Sequence, residues 1–288
     1  MNNLITKNYL DYEVTFDTSH TSHNEYKIAK KIISALLSDT DLNSLEVVNK
    51  HSRKNIDVYK FTDSDFNDSY YVKHFYMKRW EYYLKDLLIE PIGLGAYKKS
   101  LELIKHGVPA AEPVAAVTYK SSSLKRDSIL INREVKNNLP LLEYLSDKNL
   151  SLISSNQLST LFKELGLIFG RMLNNNYIHT DTNLKNFLVQ HNGNLKDDEY
   201  TQKIFLIDID DIFNLSSLPL PEFIKISIVA GFLARIKERL VRCKFKFTDN
   251  IFEPFYNGFL NIYSSKKDDE YIKLKVKKIT ESKFQKRK

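Results

Sequence analysis

Hydrophobic positions along the chain fall into two regimes. Over residues 24–37, Ile28, Ile32, Ala35 and Leu36 recur at helical spacing, which predicts an amphipathic helix. Residues 45–50, 55–61 and 69–75 are instead short strand-like runs, the first two joined by the polar turn His51-Ser52-Arg53-Lys54, and they predict three antiparallel strands in a small sheet. A helix over residues 98–105 should stop at Gly107, ahead of Pro109 and Pro113, and residues 114–119 and 128–135 read as two more strands. From Leu141 onward the pattern is mostly helical, over residues 141–145, 157–174, 221–243 and 250–263. Within 157–174, Leu158, Leu161, Phe162, Leu165, Ile168, Phe169 and Met172 cover a face broad enough for the buried spine of a lobe. Residues 266–288 are lysine-rich, and Ile272, Leu274 and Val276 alternate with Lys273, Lys275 and Lys277. That alternation is read either as a short terminal strand or as a mobile basic tail. The expected organisation is α+β and bilobal: a strand-rich lobe over 1–135, a helical lobe over 136–265, and a basic tail over 266–288.

Candidate chemistry lies inside the helical half. Tyr177-Ile178-His179-Thr180-Asp181 is followed by Asn186-Phe187-Leu188-Val189 and, one loop later, by Ile204-Phe205-Leu206-Ile207-Asp208. His-x-Asp with an Asn five positions after the Asp is the register of a phosphoryl-transfer loop, in which the Asp orients the accepting hydroxyl and the Asn offers an oxygen to a metal. A second carboxylate must reach that metal from the end of a buried strand, and Asp208 directly ends the apolar run. Asp181 is therefore the expected base or hydroxyl-orienting group, with Asn186 and Asp208 as metal ligands and His179 as a structural brace. Strand alternation would put Asp210 on the side of Asp208 as a second choice, leaving Asp211 facing solvent or capping a helix. A loop Asp that merely caps a turn is the simpler reading of Asp181 alone; the offset to Asn186 and the later Asp208 weigh against it.

Composition narrows the setting. The 288 residues are 42% apolar, enough for an ordinary core, and the formal charge is +7, which suits an anionic partner. The single cysteine, Cys243, excludes an intrachain disulfide and points to a reducing compartment. Residues 1–7 carry no signal-peptide core, and no run approaches the roughly 18 apolar residues of a membrane span, so a cytoplasmic location is expected. No nucleic-acid recognition module accompanies the positive charge, and nucleic acid is not an expected partner.

Lys73 sits on a strand ahead of the first long helix of the smaller lobe, where an ammonium can neutralise donor phosphates. No glycine precedes Gly93, so the first hairpin is not a glycine-rich phosphate loop, and Ser52, Arg53 or Lys54 must take that contact. Glu102, with Glu81 and Glu90 upstream, is the nearest candidate partner for Lys73. The strand at 128–131 running into Asn132-Arg133-Glu134-Val135 has the form of an inter-lobe hinge whose backbone can hold adenine, which makes Glu134 a candidate nucleotide contact.

From about Leu45 to Asp211 the chain resembles the lipopolysaccharide kinase family, small enzymes of protein-kinase-like fold that phosphorylate heptose or Kdo sugars of the inner core. The resemblance is carried by Lys73 in Tyr-Tyr-Val-Lys, by Leu94-Gly95-Ala96 leading into a helix that ends at His106-Gly107-Val108-Pro109, by the hinge-like strand, and by the Asp181, Asn186 and Asp208 segments. It implies ATP and Mg2+, a sugar hydroxyl on a lipopolysaccharide core or other lipid-linked acceptor, and work at the cytoplasmic face of the inner membrane, peripheral to its anionic surface. Carried over by position, Lys73 binds phosphates, Asp181 is the base, and Asn186 and Asp208 hold metal. Thr180 departs from the Gly or Arg common in related loops. Two rival readings share the His-x-Asp layout: a small-molecule kinase of the aminoglycoside or choline type, and a pseudokinase scaffold.

Overall fold

Alternation of buried and exposed side chains builds the first half of the chain. The computed structural model describes residues 4–18, 24–37, 45–51, 55–65, 67–76, 90–119, 127–192, 201–215, 220–246, 251–265 and 267–287. Its contacts divide into two units, one of Met1–Glu102 with Ala111–Glu134 and the other of Leu103–Ala110 with Val135–Lys288.

The first unit is a seven-stranded antiparallel sheet made from β1 (Leu4–Tyr9), β2 (Tyr12–Asp17), β3 (Leu45–His51), β4 (Ile56–Asp63), β5 (Asp68–Phe75), β6 (Pro113–Tyr119) and β7 (Ser128–Arg133), in the order β1-β2-β6-β7-β5-β4-β3. Side-chain period two sends Tyr70 and Val72 of β5 to one face and Phe75 to the other. On the first face α1 (Asn24–Leu37) buries Ile28, Ala29, Ile32 and Ile33 against Val14, Phe61, Tyr70, Val72 and Ile131. Each isoleucine so buried contributes about 1.5–3 kcal/mol of transfer free energy. On the opposite face α2 (Ile92–Lys105) lays Ala96, Tyr97 and Leu101 over Phe75, Ala116 and Leu130. Tyr97 also accepts a hydrogen bond at 2.7 Å from the Asp17 amide. The helix starts at Ile92, so Leu94-Gly95-Ala96 lies within it rather than leading into it. Gly93 permits this early start, because a β-carbon there would stand 3.1 Å from the Ile129 backbone. The expected stop is present: Gly107 takes φ +72°, and the Val108 amide reaches back to the Leu103 carbonyl at 2.9 Å.

The second unit is organised around α5 (Ser155–Asn174), preceded by the short helices α3 (Leu141–Tyr144) and α4 (Asp147–Leu150). A capping box starts α5: the Gln157 amide donates to Ser154 Oγ at 3.2 Å, and the Ser154 amide donates to Gln157 Oε1 at 2.7 Å. Its apolar face is buried from Leu158 to Leu173. It runs very close to α7 (Glu253–Ile262), because Gly166, Gly170 and Gly258 leave no β-carbon at the crossing. A β-carbon on Gly170 would stand 2.9 Å from both the Phe259 carbonyl oxygen and the Ile262 β-carbon, and one on Gly258 would lie well inside contact with the Lys163 carbonyl.

Residues 269–285 are neither a strand nor a mobile tail. They form α8 (Asp269–Gln285), which buries Ile272, Val276, Thr280 and Phe284 and packs on α6 (Glu222–Arg242). The apparent alternation misled because Leu274 is 58% exposed; the buried set recurs every four residues, a helical period. Glu253 at the start of α7 holds Lys273 and Lys277 of α8, each at 2.7 Å. Among the described residues, no helix is long and apolar enough to cross a membrane.

Replacing Gly258 with alanine tests the close crossing. Helix propensity alone predicts a gain of about 1 kcal/mol, whereas the backbone clash predicts a net loss of about 2–3 kcal/mol in urea denaturation. A neutral or stabilising Gly258→Ala would contradict this packing.

Candidate active site

Two antiparallel ribbons in the second unit assemble the candidate residues. In the first, β9 (Tyr177–His179) pairs with β12 (Ile212–Asn214), so that His179 lies opposite Ile212. In the second, β10 (Phe187–Asn192) pairs with β11 (Thr201–Leu206), so that Phe187 lies opposite Leu206, and the far edge of β10 is covered by β8 (Asn138–Pro140). The two loops between these ribbons, 180–186 and 207–211, are tied at both ends. Thr180 donates its amide to the Asp211 carbonyl at 3.1 Å and its hydroxyl to the same oxygen at 3.0 Å, and the Ile207 amide donates to the Asn186 carbonyl at 2.9 Å.

Within the clamp each side chain is set by its own backbone. Asn183 begins a one-turn 3-10 helix, Leu184–Asn186, by accepting from the Lys185 amide at 3.2 Å. Asn186 is 6% exposed, and its Nδ2 donates to the Asp181 carbonyl at 2.9 Å. That bond commits the amide nitrogen, so Oδ1 is the atom a cation would take. Asp208 takes the left-handed conformation, φ 61° and ψ 46°, at the turn from β11 into a second 3-10 helix, Ile209–Asp211. Such a backbone costs on the order of 1–3 kcal/mol for a residue other than glycine, and Asp and Asn bear it best. Asp181 is half-exposed, and Arg235 of α6 holds its Oδ1 at 3.3 Å.

His179 lies behind these groups, 2% exposed, with neither ring nitrogen in hydrogen-bond geometry. Burial pushes its pKa below the ordinary imidazole value, against the opposing charges of Asp208, Asp211 and Asp181 and the backbone of Ile207. Burial thus favours the neutral ring against the pull of three carboxylates.

The structure brings together Asp181, Asn186, Asp208 and His179. The strand alternation that favoured Asp210 does not extend that far, because the chain leaves β11 at Leu206 and turns at Asp208. The Asp211 backbone carbonyl receives both Thr180 bonds, and the charge of Asp211 is among those that act on His179.

In the first unit, Lys73 points from β5 to the α2 face of the sheet, its ammonium 5.5 Å from the Phe75 ring centre. Glu102 is exposed on α2, and Glu90 is engaged by Lys98. Glu134 does not offer its amide to a ligand: that N–H donates to the Ser69 carbonyl at 2.8 Å, and its carboxylate holds Lys60 at 2.7 Å. Ser52, Arg53, Lys54 and Glu81 lie outside the described residues. Arg235 escaped the sequence reading because it meets Asp181 across 54 positions, and no local spacing reports such a pair.

A loop aspartate, an asparagine and a second aspartate, held together by paired strands behind an antiparallel sheet unit in chain order, define a phosphotransferase of kinase-like fold. The chain belongs to the lipopolysaccharide kinase (Kdo/WaaP) family, whose sequence profile matches residues 46–212, more than half of its length, and whose members are kinases acting on lipopolysaccharide sugar hydroxyls. Among solved structures it is similar to WaaP in complex with acyl carrier protein, with a TM-score of 0.48 and 15% identity over 83% of this chain and 90% of that one. It is similar also to the MAP kinase LmaMPK10 from Leishmania major, with a TM-score of 0.46 and 11% identity over 93% of this chain and 85% of that one. No curated protein matches the chain.

The clamp predicts a stability effect independent of any ligand. Asn186→Ala leaves the Asp181 carbonyl without its partner and should cost about 1–2 kcal/mol in urea denaturation of the free protein. An unchanged midpoint would show that the bond does not hold the loop.

Proposed function

We infer that the protein transfers the γ-phosphoryl group of ATP to a hydroxyl of a heptose or Kdo sugar in the lipopolysaccharide inner core. The observation that carries this reading is the double clamp around residues 180–186 and 207–211, which gathers Asp181, Asn186 and Asp208 inside the family-matched segment.

The donor set fits magnesium. Among the described residues no three His, Cys, Asp or Glu side chains are close enough to hold a metal by themselves. One carboxylate and one amide oxygen, with water and phosphate oxygens completing the shell, are the hard oxygen donors that magnesium takes. Asn186 Oδ1 and the Asp208 carboxylate would hold it. A magnesium ion held by these two residues would supply positive charge against the donor phosphates.

Asp181 then orients the acceptor hydroxyl and takes its proton as the bond to phosphorus forms. Arg235 fixes the direction of that carboxylate. Lys73 contributes a cation for the donor phosphates, and His179, buried and neutral, braces the loop backbone. Most of the catalysis on this reading is positioning and charge neutralisation. A lipid-linked acceptor also suits the formal charge of +7, which favours approach to an anionic inner-membrane surface. The cations Arg235, Lys283 and Arg287 beside the loop disfavour the cationic acceptors of aminoglycoside and choline kinases.

Asp181→Asn should lower phosphate transfer to isolated lipid A–core by at least about 10²-fold while nucleotide affinity stays within a few-fold. Asp208→Asn, which keeps a residue tolerant of the left-handed turn, should abolish the magnesium dependence of nucleotide binding. Full transfer by Asp181→Asn would refute the assignment of the base, and magnesium-stimulated binding in Asp208→Asn would refute the metal site. Absence of magnesium-dependent ATP turnover in the unaltered protein would leave the scaffold reading.

A further inference from the structure

Beside the catalytic loop, entirely within the second unit, lies a cavity of about 430 Å³. Thr180 and Thr182 of the loop line one side, Arg235 and Ser227 of α6 a second, and Lys283 of α8 with Arg287 just past its end a third. All three cations come after residue 212, beyond the family-matched segment. Phe223, 67% exposed, adds an apolar wall.

The charges of this cavity do not balance. Asp181 answers Arg235 at 3.3 Å. Glu238 stands 3.5 Å from Arg287 but is shared with Arg242, which holds it at 2.6 Å. Among the described residues no carboxylate pairs with Lys283, whose ammonium donates to the Ser227 carbonyl at 2.8 Å and to Ser227 Oγ at 2.9 Å. Burial, then Arg287, Arg235 and Lys286, push the Lys283 pKa below the usual lysine value, the direction expected of a cation held among cations. Gly231 makes the room: a β-carbon there would stand 3.4 Å from Lys283 Nζ. Three cations packed around a cavity with fewer carboxylates are a receptor for an anion, and guanidinium groups are suited to carboxylate and phosphate oxygens alike.

We propose that this cavity is the acceptor subsite, and that it holds an anionic group, a carboxylate or a phosphate, carried by the sugar whose hydroxyl is phosphorylated. The assignment rests on the kinase reading above and adds the chemical class of its acceptor. Arg235 lies at the junction: it faces the cavity and holds Asp181, so an anion bound there stands within one side chain of the base. Phe223 offers a ring face to the C–H surface of a sugar. A neutral sugar would fill the same space and leave Lys283 uncompensated.

The test uses three monosaccharides, each titrated into the intact protein and followed by nuclear magnetic resonance: Kdo, which carries a carboxylate; a hexose 6-phosphate; and heptose, which is neutral. One of the anionic sugars should bind at least about tenfold more tightly than heptose, and which one it is identifies the group. Lys283→Gln and Arg287→Gln, both confirmed folded by thermal melting, should each lose about five- to tenfold in that affinity, while Lys283→Arg keeps it. Equal binding of all three sugars, or unchanged affinity in both glutamine variants, overturns the proposal. Transfer of phosphate from ATP to lipid A–core is measured in parallel. Transfer that depends on Asp181 but is indifferent to Lys283 and Arg287 removes the subsite and leaves the kinase reading; sugar discrimination without transfer does the reverse.

Discussion

Everything at the site depends on backbone pairing between two stretches of chain about twenty-five residues apart. The β9–β12 and β10–β11 ribbons bring residues 179–187 and 206–212 together, and the Ile207–Asn186 and Thr180–Asp211 bonds close the loops between them. Such loops would otherwise sample many conformations, each ordered residue costing about 1–2 kcal/mol of backbone entropy. The pairing meets that cost with groups that carry no chemistry. The positions of Asp181, Asn186 and Asp208 are thus set by strand pairing on either side of them. Even the left-handed turn at Asp208 is maintained by its flanks, since β11 fixes one side and β12 the other.

The core of the second unit supports this arrangement from behind. Phe187, first residue of β10, packs its ring 4.9 Å from Phe232 of α6, and Phe169 of α5 stands 4.6 Å from Phe232 in turn. The β10 strand is therefore attached to the helix that presents Arg235. The glycine-mediated approach of α5 and α7 tightens the same block, because a packed interior transmits small displacements. A change far from Asp181 can thus alter the aim of its carboxylate through α6.

Legibility in the sequence followed locality. Helix α1, helix α5, strands β3 to β5 and the Gly107 stop declared themselves because their signals, a periodic stripe or a left-handed residue at a helix end, lie within one element. The spacing of Asp181, Asn186 and Asp208 was legible for the same reason. Strands β1 and β2 were missed: β1 is mostly exposed along its length, so its side chains show no alternation of apolar and polar positions. The C-terminal helix was hidden by Leu274, an exposed leucine that completes a false period of two. Arg235 could not be assigned, because its partner lies 54 positions away.

The family profile ends at Ile212, while Arg235 lies on a helix that begins at Glu222, Lys283 on one that begins at Asp269, and Arg287 just beyond that helix. The cavity beside the loop thus takes Thr180 and Thr182 from the matched segment and its three cations from the stretch that follows it. Substitutions in the last quarter of the chain can therefore change the charge beside Asp181 without touching β9, β10 or β11.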